Sequence, residues 1–186
     1  RQNWAPSFEA GILTSDSSSF ESLFGSLGQD PDLHRFMASL TRILGEYDYR
    51  NAKGILQSSR GQILTEILAL LSDDQFHLRL GVTRGKLQDL SRQVQRYFEG
   101  HGWGLERPLF TLPDLRYDML KGDVPIEVEI GHERLVYAVF FKFLADYSRG
   151  KIPAGVMIVA ENPRDFGHSW HNSRENTKRK IEAISS

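Results

Sequence analysis

The stretch DLRYDMLKGDVPIEVEI, residues 114–130, decides the fold. Two largely apolar runs flank Lys121-Gly122-Asp123-Val124, and a glycine at the first central position suits a type II′ turn. The pattern predicts strands over 115–120 and 124–130, joined as an antiparallel hairpin. With Gly122 and Asp123 as the loop, Lys121 pairs with Val124, Leu120 with Pro125, Met119 with Ile126 and Asp118 with Glu127. Side chains alternate faces along a strand. Ile126, Val128 and Ile130 therefore point to a core, and Glu127 and Glu129 share the other face with Asp118. Opposed residues stand about 5 Å apart at Cβ. Carboxylates so close repel one another unless a cation sits between them. An all-oxygen set of this kind suits Mg²⁺, with Mn²⁺ as substitute. A register slip of one residue would move Asp118 to the wrong face. Asp114, in Pro113-Asp114, competes with it as the first acid of the set. An exposed hairpin with a solvated acidic face is the plainer alternative.

Working outward, residues 132–149 read as a long helix that is apolar nearly all round and ends at Gly150. Its Phe140, Phe141, Phe143 and Leu144 are read as core or dimer interface. Residues 153–160 read as a buried strand. A last basic helix is expected over 171–184. Upstream, Thr83 caps an amphipathic helix over 84–99, with Leu87, Leu90, Val94, Tyr97 and Phe98 on one side and basic or amide groups on the other. A further helix is expected over 62–71. Asp30-Pro31 reads as a helix start, followed by Leu33, Phe36, Met37, Leu40, Ile43 and Leu44 at helical spacing. Residues 1–19 read as a lead-in, with a short helix over 20–27. The chain does not open on Met, and a trimmed N-terminus is expected.

The 186 residues are 40% hydrophobic and 25% charged, as in an ordinary globular domain with a real core. There is no cysteine, which excludes disulfides, cysteine-ligated zinc and thiol catalysis. A net charge of -1 excludes a protein that is basic throughout, so any nucleic-acid surface must be local. No run approaches the roughly 18 apolar residues of a membrane span. A cytoplasmic protein is expected. No phosphate-cradling or serine-hydrolase glycine motif is present. The organisation expected is an N-terminal lead-in and helical region over 1–80 and an α/β core over 81–186.

An Asp on one strand, Glu-x-Glu on the next, then a helix and a buried strand, resembles the PD-(D/E)xK nuclease core. The resemblance is closer to the type II restriction endonucleases of the BamHI/BglII/BstYI group, in which the last Lys of the motif is replaced by Glu or Gln. Phe98 to Trp103, Glu127 to Gly131 and Gly155 to Val159 resemble further stretches of that group. The resemblance covers about residues 84–163. It implies a restriction-endonuclease-like core, a central mixed β-sheet flanked by helices. It also implies hydrolysis of double-stranded DNA with 5′-phosphate products, a homodimer, and a methyltransferase in the same system. Extended to recognition, it implies a palindrome containing GATC. Asp118, Glu127 and Glu129 take the catalytic positions. Asp118, Glu127 and the Val128 carbonyl take the metal.

Gln95 is the strongest accessory candidate on the helix before the hairpin, with Glu99 and Glu66 behind it. Lys121, His132 and Arg134 flank the hairpin and are candidates for DNA contact. Arg164, His168, Asn172, Arg174 and Lys178 extend that set, being residue types that read bases and phosphates. Two other readings compete: a nuclease of another kind on the same core, and a non-catalytic DNA-binding or interaction domain.

Overall fold

A computed structural model describes residues 8–13, 38–40, 43–79, 87–130, 134–161 and 173–185. In chain order the strands are β1 (Phe8–Leu13), β2 (Ala38–Leu40), β3 (Ile43–Tyr49), β4 (His77–Arg79), β5 (Gly104–Pro108), β6 (Arg116–Lys121), β7 (Val124–Glu129) and β8 (Gly155–Ala160). The helices are α1 (Ala52–Leu71), α2 (Leu87–Glu99), α3 (Leu135–Tyr147) and α4 (Arg174–Ser185). Six strands form one mixed sheet in the order β3-β1-β8-β7-β6-β5, and β2 pairs with β4 apart from it. β8 is parallel to both β1 and β7, and the other pairs in the large sheet are antiparallel.

Period-two alternation divides the core into two. Met119, Val124, Ile126, Val128 and Ile130, with Val156, Ile158 and Ala160 of β8, meet α1 and α2 on one face. Met157 and Val159 meet Val136, Val139, Phe140 and Phe143 of α3 and Ile181 of α4 on the other. β7 and β8 are buried along their whole length, as strands covered on both faces must be. Ile126, Val128 and Ile130 pack on the expected apolar face of β7, and Glu127 and Glu129 on the other face are buried as well.

The turn of the β6–β7 hairpin has Gly122 at φ 60, which a side chain would disfavour. The register Lys121–Val124, Leu120–Pro125, Met119–Ile126 is the expected one. The helices and strands expected after residue 83 are present among the described residues, while the Thr83 cap and the expected helix starts at 84, 132 and 171 lie outside them.

The N-terminal part differs from expectation. Within the supposed lead-in, β1 lies between β3 and β8. Among the described residues of the helix expected to follow Asp30-Pro31, the chain forms β2 and β3 instead. Exposure along β3 alternates with period two, so Ile43 and Leu44 belong to a strand pattern and not to a helical one. The short helix expected over 20–27 lies outside the described residues. α1 begins ten residues before the expected start and is broken at Arg60, whose φ of -142 and ψ of 38 are not helical. The sequence reading found only the part beyond this break. β5 was not expected at all. Its five residues include a glycine, a proline and two charges, as befits a sheet edge.

Candidate active site

The β6–β7 hairpin opens at one end. The ladder runs from the turn to Met119–Ile126, and there the register ends. Beyond it β6 stays with β5 through Arg107–Tyr117 and Pro108–Arg116. The alternation of β6 also breaks at this point: Tyr117 and Met119, two residues apart, belong to opposite cores. Across from the break, Glu106 has φ 48 and no partner in the register.

Asp118 sits at this break. Its Oδ2 accepts a hydrogen bond of 2.8 Å from the Val128 backbone N–H, in place of a strand-to-strand bond. The Val128 carbonyl accepts from Ser91 Oγ of α2 at 3.4 Å. The carboxylate thus caps a backbone that the parting strands leave open. Local irregularities of this kind re-aim side chains next to functional sites.

A cavity of about 420 Å³ opens over this end of the hairpin. Asp118, Glu127, Val128 and Glu129 line it from the sheet. Ser91, Arg92 and Gln95 line it from α2, Lys142 from α3 and Glu106 from β5. Glu127 and Glu129 are both buried, 3% and 6% exposed. Glu127 Oε1 accepts from Lys142 Nζ at 2.7 Å, and the same ammonium bonds the Arg116 carbonyl at 2.8 Å.

Burial pushes the Asp118 carboxyl above its ordinary range. The Val128 N–H, the Lys142 charge and a hydrogen bond from Gln95 oppose that rise. Glu127 is pushed up to about 8, first by burial and then by the Asp118 charge, against Lys142, with Glu129 adding to the rise. Asp118, Glu127 and Glu129 therefore share a poorly solvated pocket with the Lys142 ammonium. Displaced titrations of this kind cluster at functional sites.

Among the described residues, no group of three or more His, Cys, Asp or Glu side chains is placed to hold a metal ion. This corrects the expected three-carboxylate cluster. Glu127 and Glu129 share a face, but two residues of a strand span roughly 6–7 Å, and Lys142 occupies the side of Glu127. The donor set that remains is Asp118, Glu127 and the Val128 carbonyl. It is all oxygen, with no imidazole among the cavity's lining residues. One or two carboxylates and several waters are the usual holding set for Mg²⁺, so these residues fit it.

Asp114 is exposed in the loop before β6 and does not line the cavity. Gln95 lines it and reaches Asp118. Glu99 is exposed at the end of α2 and stands apart. Lys121 is also elsewhere: its ammonium bonds both oxygens of Glu66, at 2.7 and 2.8 Å, and lies 5.8 Å from the centre of the Trp103 ring. Arg134 is exposed just before α3. Arg174 bonds Glu161 at 2.8 Å, and Lys178 lies over the Tyr47 ring. None of these basic groups lines the cavity. His132, Arg164, His168 and Asn172 lie outside the described residues.

The sequence reading missed Lys142. Its signal was present, because it is the only charged residue between Leu135 and Ala145 of an otherwise apolar helix. The reading also missed Arg92, which shares a helical stripe with Gln88 and Gln95. Glu106 carried no signal, since its place depends on the break opposite Asp118.

A family model described as restriction endonuclease BglII/BglIII matches residues 44–184. The chain belongs to this family. The match takes in every residue named above as lining the cavity. The comparisons with curated proteins and with solved structures return no match. As a member of the BglII/BglIII family, the chain is a restriction-endonuclease-type nuclease, a hydrolase that acts on DNA. The mixed sheet between two helical layers is the α/β architecture expected of that kinship. No helix among the described residues is long and apolar enough to cross a membrane.

Proposed function

We propose that the chain is a type II restriction endonuclease that cuts double-stranded DNA at a specific site and requires Mg²⁺, with Mn²⁺ as substitute. One observation carries this reading. The hairpin parts at Asp118, and the two carboxylates at the break, Asp118 and Glu127, face a cavity with a single ammonium in contact. A protein that only needed to fold would gain by pairing or removing these charges.

Asp118, Glu127 and the Val128 carbonyl would hold the metal. When bound, Mg²⁺ supplies Lewis-acid polarisation of the scissile phosphate. Gln95 holds Asp118 in place from α2. Glu129, next on the same face, takes the proton of the attacking water. In-line displacement then leaves a 5′-phosphate and a 3′-hydroxyl. Arg92, on the rim, is placed to meet a phosphate oxygen.

Cutting both strands of a palindrome calls for two such sites about a two-fold axis, hence a homodimer. Kinship in recognition would make the site one that contains GATC. The enzyme would work in the cytoplasm beside a methyltransferase that protects the host's own sites. Arg134, Arg174 and Lys178, with His132, Arg164, His168 and Asn172, remain the groups proposed to contact DNA outside the cavity.

The test is a digest of unmethylated plasmid and phage DNA with Mg²⁺ or EDTA, beside Asp118→Ala and Glu127→Ala. Discrete fragments that need Mg²⁺ and vanish in both variants are expected. Folded proteins that leave all DNA intact under every divalent metal would sink the reading and favour a binding domain on the same fold.

A further inference from the structure

The Lys142 ammonium lies where a cation bound by Glu127 would need to lie. Its side chain is 20% exposed and reaches into the sheet, although α3 has an exposed face on which a lysine could stay in water. Leu135, Tyr137 and Phe141, about half exposed, mark that other face. Two contacts hold the ammonium: Glu127 Oε1 at 2.7 Å and the Arg116 carbonyl at 2.8 Å. One is an acid proposed to hold metal. The other is a backbone group two residues before Asp118.

We propose that Lys142 is a built-in counter-ion. It offsets part of the negative charge at Asp118 and Glu127 while no divalent ion is present, and it yields Glu127 when one arrives. This rests on reading the site as a metal centre. Four carboxyls, Glu106, Asp118, Glu127 and Glu129, line the cavity beside two basic groups, Arg92 and Lys142, which leaves it short of positive charge. A divalent ion answers that shortage better, but two cations on one carboxylate repel each other. The ammonium therefore leaves Glu127 and keeps its bond to the Arg116 carbonyl, which holds it at the cavity wall. The metal-free protein gains a site that repels itself less. The cost is weaker metal affinity, because each binding event breaks the Lys142–Glu127 contact. Lys142 is a positioning residue in this account.

The experiment titrates Mn²⁺ into DNA-free protein by calorimetry, comparing wild type, Lys142→Met, Lys142→Arg and Asp118→Ala. Thermal midpoints are recorded in EDTA and in saturating Mn²⁺. Lys142→Met is expected to bind Mn²⁺ at least about tenfold more tightly than wild type. It should melt lower in EDTA, with the gap closing as Mn²⁺ saturates. Lys142→Arg should stay near wild type. Equal or weaker Mn²⁺ binding by folded Lys142→Met overturns the proposal and leaves Lys142 a structural strut. If wild type takes up no Mn²⁺, or takes it up unchanged in Asp118→Ala, the metal-centre reading itself fails, which is a separate result.

A second measurement needs no variant. Reductive methylation of Lys142 in wild type, followed by mass spectrometry, should be slow in EDTA and several-fold faster with Mg²⁺. An unchanged rate, in protein shown to bind the ion, also overturns the proposal.

Discussion

The two ends of the β6–β7 hairpin carry similar residues and treat them differently. At the turn, each acid has its own base. Asp123 takes both the Nε and Nη2 of Arg60, at 2.7 and 2.5 Å, and Glu66 takes Lys121. These pairs are partly exposed, in a setting where ion pairs form and exchange at little cost. At the open end, Glu127 bonds Lys142, and Asp118 beside it feels the same ammonium only through space. The turn end has the charges that hold a structure. The open end has carboxyls that burial holds against their own ionisation. Charge in a hairpin is thus a poor guide to function until its compensation is counted.

The comparison breaks first at the carboxylates. Asp118→Asn and Glu127→Gln should each lower the cleavage rate by roughly 10³-fold or more. Their far-ultraviolet circular dichroism should match wild type. A loss below tenfold would mean that the open end is no more catalytic than the turn.

The next test uses pH. The Glu127 carboxyl titrates at about 8 in the folded protein and near 4.5 when free. Between these values the native state holds a proton that the unfolded chain gives up, so stability falls as pH rises through this window. The metal-free thermal midpoint should drop on the order of 10 °C from pH 5 to pH 8. Glu127→Gln should flatten that slope. Divalent metal needs the ionised carboxylate, so metal affinity and cleavage should rise over the same interval. A flat midpoint in wild type would show that Glu127 is as well compensated as Asp123.

Gln95→Ala sharpens the contrast at a smaller scale. Partners that orient a metal-holding group are worth about 10–100-fold, so cleavage should fall by that much with the fold intact. The smallest effect belongs to the turn end. Lys121→Met should cost about 1 kcal/mol or less, read from urea denaturation, and leave cleavage within twofold. A large loss of cleavage there would restore Lys121 as a DNA-contacting residue.

Most of the hairpin was legible because its signals are local. Gly122 fixes the turn, the turn fixes the register, and the register sets the faces of Ile126 and Glu127. Asp118 was found by an argument only half right. Strict alternation was assumed, and the structure brings the acid to Val128 through a break in that alternation. Lys142 was legible in principle as a lone charge in an apolar helix, but no sequence rule says whether such a lysine reaches inward or out. β1 was not legible. Phe8-Glu9-Ala10-Gly11-Ile12-Leu13 alternates poorly, and its strand state comes from the neighbours on either side of it. β3 had the right period, but Ile43 and Leu44 were absorbed into a helical count begun at Leu33.

β1 has a consequence for how the molecule is made. It lies alongside β8, and Phe8 pairs with Gly155, so most of the chain separates the two partners. Contacts this distant close a long loop and form late. Until they form, β8 presents Gly155-Val156-Met157-Ile158-Val159-Ala160 along an open edge. That run has no charge and no proline, which makes it a template for pairing with another chain. A ribosome releasing this protein must therefore deliver β8 before the sheet can be closed on that side. The interval between the two events is when the nascent enzyme is most exposed to aggregation and most in need of a chaperone.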